Sequence, residues 1–251
     1  MVSRVLKNSI FLRIYAGLVV LVVVVAVFCY LLVQIINYQR AQEYRESLTD
    51  GISYVISEGV ARQPEKQQKL DWISDASNLL ELPIYYVDAA QVELSRAERK
   101  RIAEQKSVVR YDANNGIGYV IIGLKDDPKH FIYIKVDKIG ERQMKALPIF
   151  VLDYLIFYPG QEREYLEKIK KHFYYPIEIA DIRDINLDSE QIGRLRQGQS
   201  VLLYKDSASI RGTTISIVSP MPNHPAQVLV LGPVPMFNWM PFQLAAGITL
   251  F

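Results

Sequence analysis

Cysteine is almost absent: the 251 residues contain one, Cys29. A single thiol excludes an intrachain disulfide and a cysteine-based zinc site. Histidine is scarce too, limited to His130, His172 and His224. There is no Gly-rich phosphate loop and no nucleophile motif. Gly116-Ile117-Gly118 reads as a turn between strands, with no helix after it to hold an anion. Charge is missing from two long stretches: none lies between Arg13 and Arg40, and none in the 40 residues after Arg211.

What is present is apolar. Half the residues are hydrophobic and 22% are charged, which excludes a disordered, collagen-like or disulfide-scaffold chain. The formal charge of +2 comes from 29 basic and 27 acidic residues. Arg4, Lys7 and Arg13 account for all of that excess, since acids outnumber bases from Arg40 to Arg211. The globular part therefore has no basic face, and nucleic acid is not an expected partner.

The uncharged run GLVVLVVVVAVFCYLLVQII (17–36) has the roughly 20 residues a membrane helix needs. Its β-branched residues are acceptable in lipid, where the backbone must satisfy itself internally. Three cations and no acids precede it. The positive-inside rule then predicts a cytoplasmic N-terminus (1–13), a membrane helix (14–36), and a remainder on the far side of that membrane. A cleaved signal peptide would need small residues at its exit. Val33-Gln34-Ile35-Ile36-Asn37-Tyr38 has none, and Phe28 before Cys29 does not suit a lipoprotein site.

At the other end, 236–251 reads as the start of a second membrane helix with Trp239 at the interface. At about 1.5 Å per residue it is too short for a hydrocarbon core of about 30 Å. The expectation is a chain cut inside that helix, the alternative being a short hydrophobic tail.

Between the ends the pattern is mixed α/β (α+β). Asn37 to Arg62 continues helically, with Tyr44, Leu48, Ile52, Val55 and Ile56 on one stripe. That stripe suits the core of the outer domain, a parallel homodimer seam, or both. Predicted elements then follow as helix 65–81, strand 83–87, helix 95–105 with Ser95 as N-cap and Glu98 three residues on, and strands 107–111, 119–124 and 131–136. The order recurs as helix 146–158, helix 162–173, strand 176–180, helix 188–196 and strands 201–204, 213–219 and 228–231.

At an offset of 93, Pro83-Ile84 meets Pro176-Ile177, Arg101 meets Arg194 and Ser107-Val108 meets Ser200-Val201; at 94, Pro128 meets Pro222 and His130 meets His224. Two tandem α-β-α-β-β-β modules are expected, 37–138 and 139–235, PAS-like at most. His130 and His224 fall at equivalent loop positions and are candidate proton or metal sensors, though ordinary loop histidines fit as well. Asp126-Asp127 reads as a solvated turn. His172 reads as a cation complementing a helix C-terminus.

The second half carries Leu187-Asp188, Ile192, Arg194-Leu195-Arg196-Gln197-Gly198 and Val201, and closes with Val228-Leu229-Val230-Leu231-Gly232-Pro233-Val234-Pro235. This pattern resembles the external sensor region of RstB-type sensor histidine kinases of Gram-negative two-component systems. The resemblance extends to Lys7-Asn8-Ser9-Ile10-Phe11-Leu12-Arg13-Ile14-Tyr15 and Gln39-Arg40-Ala41-Gln42-Glu43-Tyr44. It implies a sensory input region in which Arg194, Gly198, Gly232, Pro233 and Pro235 are family-motif and signal-coupling residues. It also implies a homodimer in a bacterial inner membrane, an unidentified periplasmic stimulus or protein, and a response regulator reached through further domains that would hold ATP and Mg. No cofactor, metal or catalytic residue is implied for this region, so the chain is not an enzyme by itself. A free-standing bitopic membrane protein binding an envelope partner is the alternative.

Overall fold

The computed structural model describes residues 10–112, 114–137, 140–205 and 213–235. The expected second membrane helix (236–251), most of the N-terminal segment and the side chain of Pro235 lie outside these. The chain divides into two compact units, and the larger, Tyr44–Met236, holds every strand among the described residues.

The first helix, α1 (Ile10–Ala61), is a single helix of 52 residues. By length and composition it can cross a membrane: its most apolar 18-residue window has a mean hydropathy of 3.1, and none of that window is buried within the chain. Apolar exposure around a whole helix is the composition of a lipid-facing segment rather than of an amphipathic helix in water.

From Tyr44 onward α1 is part of the larger unit. Ile52, Val55, Ile56 and Val60 are 8%, 2%, 2% and 0% exposed and belong to its core, with Leu48 packed against them. Ile52, Val55 and Ile56 of the stripe are thus spent on the chain's own packing, while Tyr44 and Leu48 stay only partly buried. Gly51 lets the Phe173 ring press on the helix backbone, and Arg62 caps its end by lying over the rings of Tyr154, Phe157 and Tyr158, with centroids 4.4, 4.6 and 5.2 Å from its guanidinium carbon.

Two antiparallel sheets follow. The first contains β1 (Ile84–Asp88), β2 (Val108–Asp112), β3 (Ile117–Gly123) and β4 (His130–Val136), in the order β1-β4-β3-β2. The second contains β5 (Ile177–Asp181), β6 (Val201–Lys205), β7 (Thr214–Met221) and β8 (His224–Pro235), in the corresponding order β5-β8-β7-β6. Helix α2 (Lys66–Leu80) precedes the first sheet and α3 (Arg96–Ala103) joins β1 to β2. Helices α4 (Glu141–Ile156) and α5 (Glu162–Lys170) precede the second, and α6 (Ser189–Arg196) joins β5 to β6.

Strand alternation divides each sheet between two faces. Val120, Ile122, Ile132 and Ile134 of the first sheet and Ile215, Ile217, Leu229 and Leu231 of the second share one core with α1, α2, α4 and α5. The opposite face of the first sheet buries Val108, Ile121 and Phe131 under Leu94 and Ile102. The opposite face of the second buries Val201, Val218, Val228 and Val230 with Leu195 of α6. Each such fully buried aliphatic side chain contributes about 1.5–3 kcal/mol.

Two elements differ from their sequence patterns. Helix α4 starts five residues earlier than 146, because Gly140 serves as its N-cap and Gln143 reaches back to accept the Gly140 N–H at 3.0 Å. Its polar first turns give no apolar periodicity. Strand β8 runs well past 228–231 at both ends and, with three prolines, does not look like an internal strand. Pro225 and Pro235 sit near its ends, and Pro233 sits at a register shift where Ile215 pairs Val234 but Ile217 pairs Leu231. The missing N–H groups therefore fall where the ladder is already interrupted.

Candidate functional site

The most connected polar site of the larger unit joins α1 to the edge of the first sheet. Helix α3 begins with the expected cap: Ser95 Oγ accepts the Glu98 N–H, and Glu98 Oε2 accepts the Ser95 N–H at 2.7 Å. Glu98 also holds Arg110 of β2, and that hydrogen bond pulls its carboxyl down to about 2. With the first turn of α3 fixed in this way, Arg101 reaches α1.

Its Nε donates to the Ser107 carbonyl at 2.9 Å, and its Nη2 donates to both oxygens of Asp50 at 3.1 and 3.2 Å. Its Nη1 lies 3.1 Å from Glu46 Oε2. Asp50 Oδ1 also accepts the backbone N–H and the hydroxyl of Ser107, each at 2.9 Å, and Thr49 Oγ1 lies 2.8 Å from Ser107 Oγ. Ser107 is fully buried, while the side chains of Arg101, Glu46 and Asp50 are 26%, 14% and 16% exposed. The planar guanidinium spans two carboxylates, Glu46 on Nη1 and Asp50 on Nη2, which fixes both distance and orientation. The α3–β2 corner therefore cannot move without taking α1 with it or breaking several charge-assisted bonds.

The Arg101–Arg194 and Ser107–Ser200 identities were visible in the repeat pattern, but only as repeat markers. The partner that makes them a site, Asp50, lies 51 residues away from Arg101, and no short motif signals it.

His130 is not an ordinary loop histidine. It is the first residue of β4, its ring stacks on Tyr86 of β1 with centroids 4.4 Å apart, and its Nδ1 is 2.9 Å from Asp127 Oδ1. The Tyr86 hydroxyl donates to Asp127 Oδ2, and Lys69 of α2 approaches the same carboxylate at 4.0 Å. Asp127 is therefore no solvated turn residue. Burial works against its charge, but the bonds from His130 and Tyr86 prevail and hold its carboxyl below the usual range. Burial and the Asp127 bond push the Tyr86 phenol up. The group has no serine or thiol nucleophile among its contacts and serves as a polar tie between α2, β1 and the β3–β4 turn.

His224 occupies the same topological place, the first residue of β8, but is exposed. The structure thus places the two histidines equivalently in the two sheets and gives only His130 a polar network. His172 is likewise not a helix-terminal cation. It stacks on Tyr54 of α1 at 3.7 Å, and burial, then Lys171, lower its pKa, which favours the neutral ring.

The motif residues of the second sheet are scattered over it. Gly198 has φ +81° and reverses the chain after α6, as left-handed backbone favours glycine. Gly232 has φ +119°, and a Cβ there would stand 2.7 Å from the Ile215 carbonyl oxygen. Gly232–Pro235 is therefore a bulged continuation of β8. Arg194 lies near Glu141, whose carboxyl is lowered chiefly by Lys145 and in smaller part by Arg194. Tyr44 packs edge-on to Tyr174, with its phenol pushed up to about 12 by burial and then by that neighbour.

A second feature is a cleft of about 900 Å³ between α4 and the second sheet. Among the described residues, no group of three or more His, Cys, Asp or Glu side chains could hold a metal ion. No protein-family profile, no curated protein and no solved structure matches the chain.

Proposed function

We propose that this chain is the periplasmic signal-sensing and transmembrane input region of a two-component sensor histidine kinase. In this reading it controls a response regulator by phosphotransfer through domains outside these 251 residues. The observation that carries the reading is the dual use of α1. One unbroken helix supplies a stretch apolar enough for a membrane and a stretch locked to the first sheet by Arg101, Asp50 and Glu46. A helix shared in this way converts a displacement of the sheet into a displacement of the membrane segment, as a two-state input requires.

The three cations before the apolar run favour a cytoplasmic N-terminus and a periplasmic position after about residue 37. The matching strand orders and the two capped helices α3 and α6 favour two copies of one α-β-α-β-β-β module. In this reading the shared core makes them a single mechanical body. Ile52 and Val55 are buried within the chain, so a homodimer contact along α1 would use the partly buried Tyr44 and Leu48.

Reading the coding sequence on from Phe251 tests the proposal. A second membrane helix, a phosphoacceptor-histidine helix pair and an ATP-binding domain are expected. A stable natural product ending at Phe251 would sink it in favour of a free-standing bitopic protein with an envelope partner.

A further inference from the structure

The cleft beside α4 is lined by Ser200, which precedes β6 as Ser107 precedes β2 in the Arg101 site. Before β2, Ser107 is occupied by the Asp50 carboxylate, which comes from α1 four residues after Glu46. Before β6 stands Ser200, preceded by Arg194 at the same interval that separates Arg101 from Ser107. Arg194 contributes only in small part to lowering the Glu141 carboxyl, which is held chiefly by Lys145. The first helix thus offers an acid to Ser107, whereas α4 offers a base, Lys145, to the cleft lined by Ser200.

The lining suits an anion with an apolar part. Lys145, 24% exposed in its side chain, and the exposed Arg196 bring positive charge, and Ser200 supplies a hydroxyl bonded to Ser219 Oγ at 3.1 Å. Arg142 also lines the cleft but is paired with Glu81, and Asp153 is the acid among the lining residues. Lys145 is itself 2.5 Å from Glu141. An ammonium has three donors, so it can keep that bond and accept a second anion. The apolar wall includes Ile149 and Ile156, which are 42% and 39% exposed, too much for helix residues with a packed partner. Apolar walls with a few convergent polar groups are the usual composition of small-molecule sites.

We propose that this cleft binds a small amphipathic monocarboxylate, the carboxylate held by Lys145 and Arg196 and the tail lying on Ile149 and Ile156.

The test uses the full chain in lipid nanodiscs, with binding followed by ligand-observed NMR and empty nanodiscs subtracted. The probes are hexanoate, its neutral amide hexanamide, the cation hexylamine, and acetate. Hexanoate should bind at least tenfold tighter than hexanamide and acetate, with no saturable binding of hexylamine. Lys145→Met should weaken hexanoate about tenfold or more. Arg196→Met, at the exposed last residue of α6, should weaken it severalfold. Lys106→Met, outside the cleft, should leave binding unchanged. Equal binding of hexanoate and hexanamide, no saturable hexanoate binding, or full hexanoate affinity in Arg196→Met would overturn the proposal. This outcome is independent of whether kinase domains follow Phe251.

Discussion

Replacing Arg101 with Met removes the fork that holds α1 to the first sheet while keeping most of the side chain's volume. Glu46 and Asp50 would be left four residues apart on one helix, 14% and 16% exposed, without their guanidinium. Breaking a fully buried pair costs about 3–5 kcal/mol. Here all three groups keep some water, and Asp50 keeps two bonds from Ser107. The expected loss is therefore about 2–3 kcal/mol. For a unit of this size each kcal/mol moves the melting temperature by about 2–4 °C, so a drop of about 4–12 °C is expected by calorimetry. Combining Arg101→Met with Asp50→Asn in a double-mutant cycle should show coupling above about 1 kcal/mol. Arg101→Lys should recover only part of the loss, since an ammonium cannot span both carboxylates in a fixed plane. A loss below about 0.5 kcal/mol with no coupling would refute the idea that this network holds the helix.

Gly232→Ala should destabilise the second sheet by about 1–3 kcal/mol, because φ is +119° there and the new Cβ would meet the Ile215 carbonyl; an unchanged urea midpoint would count against the bulge geometry. Gly51→Ala should be similarly damaging, because its Cβ would fall 2.5 Å from the Phe173 ring, whose residue is buried. The check is whether near-ultraviolet dichroism of the aromatic cluster weakens. His172 has a folded pKa below its ordinary 6.5, so its contribution to stability is present above about pH 6.5 and is lost as pH falls toward the folded value. His172→Phe keeps the stack on Tyr54 and should flatten the stability slope between about pH 7 and 5, and an identical slope in both proteins would contradict this.

Features that depend on local chemistry were legible from the sequence. Ser95 and Glu98 announce the start of α3, and the uncharged run before Asn37 announces a helix long enough to span a membrane. Strand alternation identified the elements of both sheets, although β8 ran on where prolines suggested it should stop. Features that depend on long-range pairing were hidden. Asp127 looked like a solvated turn residue because Tyr86 and Lys69, which desolvate and bind it, are far away in sequence. His172 looked like a helix-end cation because its stacking partner, Tyr54, comes from α1. The α1 stripe suits a core, a dimer seam or both, and only the position of the sheets shows that Ile52, Val55 and Ile56 serve the core. Arg194, Gly198, Gly232 and Pro233 carried the family resemblance, yet the densest polar site formed around Arg101, outside that motif.

Phosphorylation is the most direct test of the functional reading. The whole polypeptide encoded by the gene, reconstituted in proteoliposomes with labelled ATP and Mg, should acquire acid-labile phosphate on a histidine other than His130, His172 and His224. The rate should change when Arg101 is replaced by Met. Absence of any phosphohistidine, or a rate indifferent to Arg101, would contradict a sensor whose signal passes through α1.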